Sequence, residues 1–308
     1  MKLSSQHFSS LPPFFRDLFQ KMSAISDLQK YPLYIVGGVV RDLILNRPIF
    51  DADFMSEGNV ELLVKRIAED LKVKMVSHPQ FLTFSLIFNQ DQKVDVVTAR
   101  EESYPKPAQL PIVKASTVAL DLKRRDFSIN AIACSLNKST YGEVLDPFGG
   151  LKDLENKQLC VLHDLSFQDD PTRVFRAARF AGRLGLHIEE KTERLIFLAV
   201  QKKFLDLLSP VRRRHELEYL FKEQDPRPAL FLLKKWGALA FFIKEDAHID
   251  DQVIHQLPVP SQLFSASDLQ LKRLGYWFGR WGKDKTENLL HLLQFEKTVK
   301  KKLLSDKG

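Results

Sequence analysis

The apolar positions switch repeatedly between helix and strand spacing up to about residue 150, then hold helix spacing for the rest of the chain. Phe14, Leu18, Met22, Ile25 and Leu28 recur at helical spacing behind the Leu11-Pro12-Pro13 break, which predicts one leading helix. Leu33 to Val36 is a short apolar run stopped by Gly37-Gly38, and Val39 to Leu45 resumes with charges interspersed. Strand, tight turn and helix follow from that order. Asp51 to Phe54 reads as a second short strand, and Leu63, Val64, Ile67 and Leu71 mark one face of a helix starting near Val60. Phe81 to Phe88 and Val94 to Val97 are rich in β-formers and read as strands around the polar turn Asn89-Gln90-Asp91. From Arg100 to Leu120, Pro105, Pro107 and Pro111 predict an irregular connection.

Beyond Gly149-Gly150 nearly everything reads as amphipathic helix, broken by Pro210, Pro226, Pro228, Pro258 and Pro260. The expected organisation is a mixed α+β head over residues 1–150, including the leading helix. Helical segments over 151–222 and 223–308 follow it. A chain of 308 residues suits such a division better than one small core. With 46 Lys and Arg against 39 Asp and Glu, the net charge of +7 favours a polyanionic partner. The basic clusters lie in the second half: Lys202-Lys203, Arg212-Arg213-Arg214, Lys234-Lys235, Lys272-Arg273 and Lys300-Lys301-Lys302. Cys134 and Cys160, the only cysteines, form no CxxC, which argues against a disulfide framework or a thiolate zinc site. No apolar run is long enough to span a membrane and no signal-type leader opens the chain, so no membrane partner is expected and the cytoplasm is the expected compartment. His187 and His215 read as helix-surface residues, and Trp236, Phe241 and Phe242 as core of the helical part.

Three motifs carry candidate chemistry. In GGVVRDLILNRPIFDADF, from Gly37 to Phe54, a Gly-Gly turn opens a helix. Free backbone N–H groups there can approach a triphosphate, and Arg41, one turn in, adds charge-assisted bonds. Asp51 and Asp53 are one residue apart on the expected strand, which projects both carboxylates from one face about 7 Å apart. That spacing suits Mg²⁺, which takes one or two carboxylates and completes its shell with phosphate oxygens and water. Asp95, on a candidate neighbouring strand, is a possible third carboxylate. In DLKRRDFSINAIA, from Asp121 to Ala133, Arg125 and Asp126 precede an apolar stretch that reads as helical. A guanidinium there suits phosphate and a carboxylate suits ribose hydroxyls. LDPFGG, from Leu145 to Gly150, follows shortly after. In SFQDDPTRVFRAARFAGRLG, from Ser166 to Gly185, Asp170, Arg173, Arg176 and Arg183 fall near one helical face.

Together and in this order, the motifs resemble the class II tRNA nucleotidyltransferase and bacterial poly(A) polymerase family, over at least Tyr34 to about Phe221. The resemblance implies a polymerase-β-type nucleotidyltransferase head followed by an all-helical neck, body and short tail. It implies that Asp51 and Asp53 hold Mg²⁺, that Gly38 and Arg41, at the Gly37-Gly38 turn, contact the triphosphate, and that Arg125 and Asp126 hold phosphate and ribose. Asp170, Arg173 and Arg176 would contact the incoming nucleotide. Physical chemistry supports the last assignment. Cytosine and adenine both present an exocyclic amino donor beside a ring-nitrogen acceptor, whereas uracil and guanine present the reverse. A carboxylate acceptor paired with a guanidinium donor therefore suits CTP and ATP and leaves groups unpaired with the wrong base.

The implied reaction is transfer of CMP, AMP or both to the 3′ end of tRNA, with a complete CCA-adding enzyme as the default. DDPTR in place of EDRxR, and the proline-containing loop with Tyr104, look more like the branch that adds only A or only CC. Asp169 stands where many members carry Glu, and a phosphohydrolase domain like that of some relatives is not expected in these 308 residues. Ser209 to Leu220 is the expected neck helix, with Arg212 and Glu216 paired one turn apart. Arg213 and the later lysines would meet phosphates of the tRNA acceptor and TΨC arms. The alternatives are a poly(A) polymerase acting on other RNAs, a small-molecule nucleotidyltransferase and a catalytically silent RNA-binding protein.

Overall fold

A computed structural model describes residues 1–89, 92–242, 250–260 and 265–305. Its contacts divide the chain into two units. The first comprises Met1–Pro105, Leu110–Asn156 and Cys160–Leu162, and the second Lys106–Gln109, Lys157–Leu159 and His163–Gly308.

The first unit begins with two helices, α1 (Ser5–Ser9) and α2 (Pro13–Leu28), where the periodicity predicts one. The break at Leu11-Pro12 separates them, because proline lacks the N–H that would continue a helix. The buried stripe of α2 runs through Phe15, Leu18, Phe19, Met22 and Ile25, while Leu28 is 79% exposed. Next come β1 (Leu33–Val36), α3 (Gly38–Ile44), β2 (Asp53–Ser56), α4 (Val60–Leu71), β3 (Lys74–His78), β4 (Thr83–Ile87) and β5 (Lys93–Thr98). Then follow β6 (Arg100–Ser103), β7 (Ile112–Ala115), α5 (Val118–Lys123), β8 (Ala133–Ser135), β9 (Val144–Leu145) and α6 (Gly150–Glu155).

One mixed sheet runs in the order β3-β4-β5-β2-β1-β8-β9. Only β2 and β5 pair in parallel. Its middle is apolar: Ile35, Val36, Phe54, Met55, Val94 and Val96 are fully buried. β3 escaped the sequence reading because its residues are half-exposed or exposed and show no clean alternation. Of the expected turn after β4, Gln90 and Asp91 lie outside the described residues.

Two expectations fail here for physical reasons. The segment from Arg100 to Leu120 is not irregular: β6 and β7 form an antiparallel ribbon and α5 has begun. Pro105 and Pro107 fall in its link and Pro111 just ahead of β7, positions that need no ladder N–H. The stretch after Asp126 is not a helix but a 3₁₀ turn (Ser128–Asn130) leading into β8. Ile129, Ala131, Ile132, Ala133 and Cys134 are all fully buried, and an element buried on every side gives no periodicity to read.

LDPFGG has a structural job. The Asp146 carboxylate accepts from the N–H groups of Gly150 (2.7 Å) and Leu151 (2.9 Å), capping α6. A Cβ on Gly150 would run into the Ser128 carbonyl oxygen. Gly150→Ala is therefore expected to destabilise the protein by about 1–3 kcal/mol. A urea midpoint unchanged from wild type would contradict that close approach.

The second unit is helical: α7 (Ser166–Asp169), α8 (Thr172–Leu184), α9 (Glu190–Gln201), α10 (Pro210–Lys222), α11 (Arg227–Lys235), α12 (Asp251–His255), α13 (Ala266–Phe278), α14 (Lys283–Leu292) and α15 (Lys297–Ser305). Among the described residues its only strand pairing is a two-residue parallel one, Gln158–Leu159 with His187–Ile188, so His187 lies in a strand and not on a helix. His215 is on the exposed face of α10. Trp236 and Phe242 are buried, and Phe242 packs on Phe175 with ring centroids 4.8 Å apart. Two arginines read as surface charges turn inward. Arg213 donates to the carbonyls of Leu208 and Asp206 and stacks over Phe241, while Arg273 serves the carbonyls of Pro258, Phe221, Glu223 and Gln224. Arg213 is thus structural wiring instead of the expected phosphate contact. Among the described residues no helix is long and apolar enough to cross a membrane.

Candidate active site

In the first unit, strand register brings the first two motifs together. Val36, the last residue of β1, pairs with Asp53 on one side and Ala133 on the other. Gly37 therefore turns away from the sheet between the start of β2 and the Asp126–Ala133 segment. Its backbone has φ 72°, which glycine adopts freely, and its N–H donates to the Ile132 carbonyl at 2.9 Å. Gly38 begins α3.

Asp51 lies just ahead of β2, not in it as expected, but the alternation continues through it. Asp51 and Asp53 are exposed, whereas Ala52 and Phe54 are buried. Asp95 stands directly beside Asp53 in the parallel pairing of β5 with β2. The Ser85 hydroxyl donates to Asp95 at 2.6 Å, and Lys93 pairs with it at 3.2 Å. The Asp53 carboxylate keeps an edge open to water, yet the protein crowds it on its other sides. Its pKa is pushed up to about 6, first by that desolvation and then by the Asp51 and Asp95 charges, with Arg125 and Lys93 pulling the other way.

A cluster of carboxylates that resist joint ionisation favours a cation. Among the described residues no group of three or more His, Cys, Asp or Glu side chains is placed to hold a metal ion alone. Two aspartates open to solvent fit the partial protein shell that Mg²⁺ accepts when phosphate and water supply the rest.

Arg125 is held in a fork. Its Nε and Nη2 donate to Asp121 Oδ2 at 3.2 and 3.0 Å, and its Nη1 lies against Gly37, 2.7 Å from where a Cβ would stand. Asp121 is fully buried and also binds Arg124 through Oδ1, with contacts of 2.9 and 2.7 Å. Burial works hardest against its ionisation, but Arg125 and Arg124 together outweigh it and hold the carboxyl below its usual range. Asp126 is buried and accepts from the Phe127 N–H and from Asn130 Nδ2 at 3.0 Å.

Arg41, the expected triphosphate contact, is 3% exposed, forked onto Asp42 with two 2.9 Å bonds and donating to Asn130 at 2.5 Å. It ties α3 to the Asp126 segment through Asn130.

In the second unit, Asp170 sits between α7 and α8. Its Oδ1 accepts from the Thr172 N–H (3.1 Å) and hydroxyl (2.6 Å). Arg173 is buried and donates to the Ser166 hydroxyl, while Arg176 is half-buried over the Phe180 ring. The expected Arg212–Glu216 pair is not made: Arg212 reaches Asp170 at 2.5 Å, and Glu216 pairs with Arg179 at 3.4 Å. Asp121 and Asn130 are thus residues that the sequence reading passed over, and Arg212 one that it gave to another partner. For Asp121 a signal existed, since it lies three and four residues before two arginines on a helix.

A model of the poly(A) polymerase head domain matches residues 33–160. An A-adding tRNA nucleotidyltransferase of Geobacter sulfurreducens is 41% identical over 224 residues, which is 73% of this chain and 26% of that protein. A CC-adding tRNA nucleotidyltransferase of Deinococcus radiodurans is 38% identical over 67% of this chain and 54% of its own length. The structure of the Thermotoga maritima CCA-adding enzyme complexed with tRNA matches with a TM-score of 0.82 at 30% identity, covering 98% of this chain and 72% of that one. The chain spans between about a quarter and about half the length of these two curated relatives.

Proposed function

Since the chain belongs to the class II tRNA nucleotidyltransferase and poly(A) polymerase head family, we propose that it transfers nucleotides from ATP or CTP to the 3′ end of tRNA. The observation that carries this reading is the register that sets Asp53 beside Asp95 and next to the Gly37 turn, with Arg125 against that turn. Over similar shares of the chain, identity is 41% to an A-adding relative, 38% to a CC-adding one and 32% to a CCA-adding one, which favours addition of the terminal A over the complete CCA of the default expectation.

In the proposed reaction the tRNA 3′-hydroxyl attacks the α-phosphorus and pyrophosphate leaves. Mg²⁺, held by Asp51 and Asp53, supplies activation of the hydroxyl and charge stabilisation for the departing pyrophosphate when bound. The N–H groups opening α3 and Arg125 Nη1 orient the triphosphate. Asp126 receives the ribose hydroxyls. Arg41, buried and tied to Asn130, keeps the turn and the Asp126 segment in register instead of gripping phosphate itself. Asp170 supplies the acceptor for the exocyclic amino group shared by adenine and cytosine, with Arg173 and Arg176 the candidate partners for the rest of the nucleotide.

The test is to supply Mg²⁺, ATP and CTP to tRNA ending before the CCA, tRNA ending in CC, and an unrelated RNA, and to resolve the products to one nucleotide. One A added to the CC end is the expected product. Growth of the shorter tRNA to CCA would assign the complete activity, and a halt after CC the CC-adding one. Long A tails on the unrelated RNA would move the reading to poly(A) polymerase, and no extension of any RNA would overturn it.

The raised pKa of Asp53 gives a second expectation. A carboxylate whose folded pKa lies above its unfolded value contributes stability at low pH that disappears as pH rises towards about 6. Above that, the ionised cluster is the form a cation binds. The rise in melting temperature on adding Mg²⁺ with nucleotide should therefore be larger near about pH 7.5 than near about pH 5. Equal rises at both would contradict the assignment of the cation to Asp53.

A further inference from the structure

The Asp170 carboxylate is unevenly occupied. Oδ1 accepts from the Thr172 N–H at 3.1 Å, the Thr172 hydroxyl at 2.6 Å and Arg212 Nη2 at 2.5 Å, while among the described residues Oδ2 receives no hydrogen bond. The side chain is 24% exposed, so Oδ2 remains within reach of a ligand. Arg212 comes from the first turn of α10, anchored by the Ser209 cap and Pro210. Its second terminal nitrogen, Nη1, donates to the Ala108 carbonyl at 2.8 Å, and the Ala108 N–H donates to the Gln168 carbonyl at 3.3 Å. One guanidinium thus fixes the start of α10, the Lys106–Gln109 segment and the turn between α7 and α8 to one another, all within the second unit.

An aspartate in a turn rotates about χ1 and χ2 unless something holds it, and an acceptor that can rotate serves several donor arrangements. The two Thr172 donors are local and move with the turn; Arg212 is the donor that comes from outside it. We infer that Arg212 is a positioning residue for base selection. It occupies Asp170 Oδ1 and aims Oδ2 as the single acceptor for the exocyclic amino group of the incoming base. This rests on the reading that Asp170 recognises that group. Geometry decides the selectivity: with one acceptor at one place, adenine or cytosine pairs there, whereas the carbonyl of guanine or uracil meets a carboxylate oxygen and is repelled.

The experiment compares single-nucleotide addition to tRNA ending in CC from ATP with that from GTP and UTP, for wild type, Asp170→Ala, Arg212→Ala, Arg212→Lys and the double alanine variant. Melting temperatures are measured alongside. Arg212→Ala is expected to narrow the ratio of kcat/KM for ATP over GTP by about 10-fold to 100-fold. The double variant should lose no more selectivity than Asp170→Ala, because the two residues act as one unit. Arg212→Lys, which reaches Asp170 but cannot fork onto Ala108 as well, should recover part of the ratio. A structural role alone would lower the melting temperature and the rates with every nucleotide together, leaving the ratio in place, and that result overturns the inference. If Arg212→Ala keeps the ratio while Asp170→Ala loses it, the inference fails and base reading by Asp170 stands. If Asp170→Ala itself keeps the ratio, both fail together.

Discussion

Asp53→Asn is expected to lower nucleotide addition on the order of 10³-fold or more, the scale of removing a group that stabilises charge in the transition state. The same change should leave the melting temperature of the ligand-free protein equal to or above wild type. The amide is nearly isosteric, and it removes both the desolvation of a charge and its repulsion with Asp51 and Asp95, which together raise the pKa of this carboxylate. Loss of activity without loss of stability is the signature of a site that stores repulsion for a cation. A variant that kept about a tenth of wild-type activity, or that melted well below wild type, would place Asp53 in the scaffold instead.

Asp121→Ala is expected to have the opposite profile, with a stability loss of about 3–5 kcal/mol, the usual cost of removing one partner from a buried ion pair. Asp121 is fully buried and carries the forks of both Arg124 and Arg125, so its removal leaves two guanidinium groups partly unpaired. Because its folded pKa lies below the ordinary aspartate range, its contribution is present above the unfolded value and is lost only as pH falls below that range. The destabilisation should therefore be the same near about pH 5 as near about pH 7. Urea denaturation at the two values checks this. A loss under about 1 kcal/mol would mean that the arginines find other partners.

What could be read in the chain followed from locality. Gly37 and Gly38 announce a turn, and the one-residue spacing of Asp51 and Asp53 is a short-range pattern that survives even though the ladder begins only at Asp53. Asp95 could be suspected but not placed, because its position beside Asp53 depends on β5 pairing in parallel with a strand far away in sequence. The same limit misled the reading of Arg212. The neighbour one turn along its helix is Glu216, yet Asp170 and Ala108 take the guanidinium through tertiary contacts. Arg213 and Arg273 show the other failure: composition counts a guanidinium as surface charge, but backbone carbonyls hold both of these inside. The apolar run after Asp126 was ambiguous by its nature, since full burial erases the period that separates helix from strand.

Release of pyrophosphate from ATP by the purified protein, with Mg²⁺ and tRNA ending in CC, compares wild type most directly with Asp51→Asn and Asp53→Asn. One pyrophosphate released per tRNA end by wild type, and none above background from either variant, is the predicted result. Release that continues in the variants, or its absence from wild type with every tRNA form and both nucleotides, would contradict nucleotidyl transfer at this pair of aspartates.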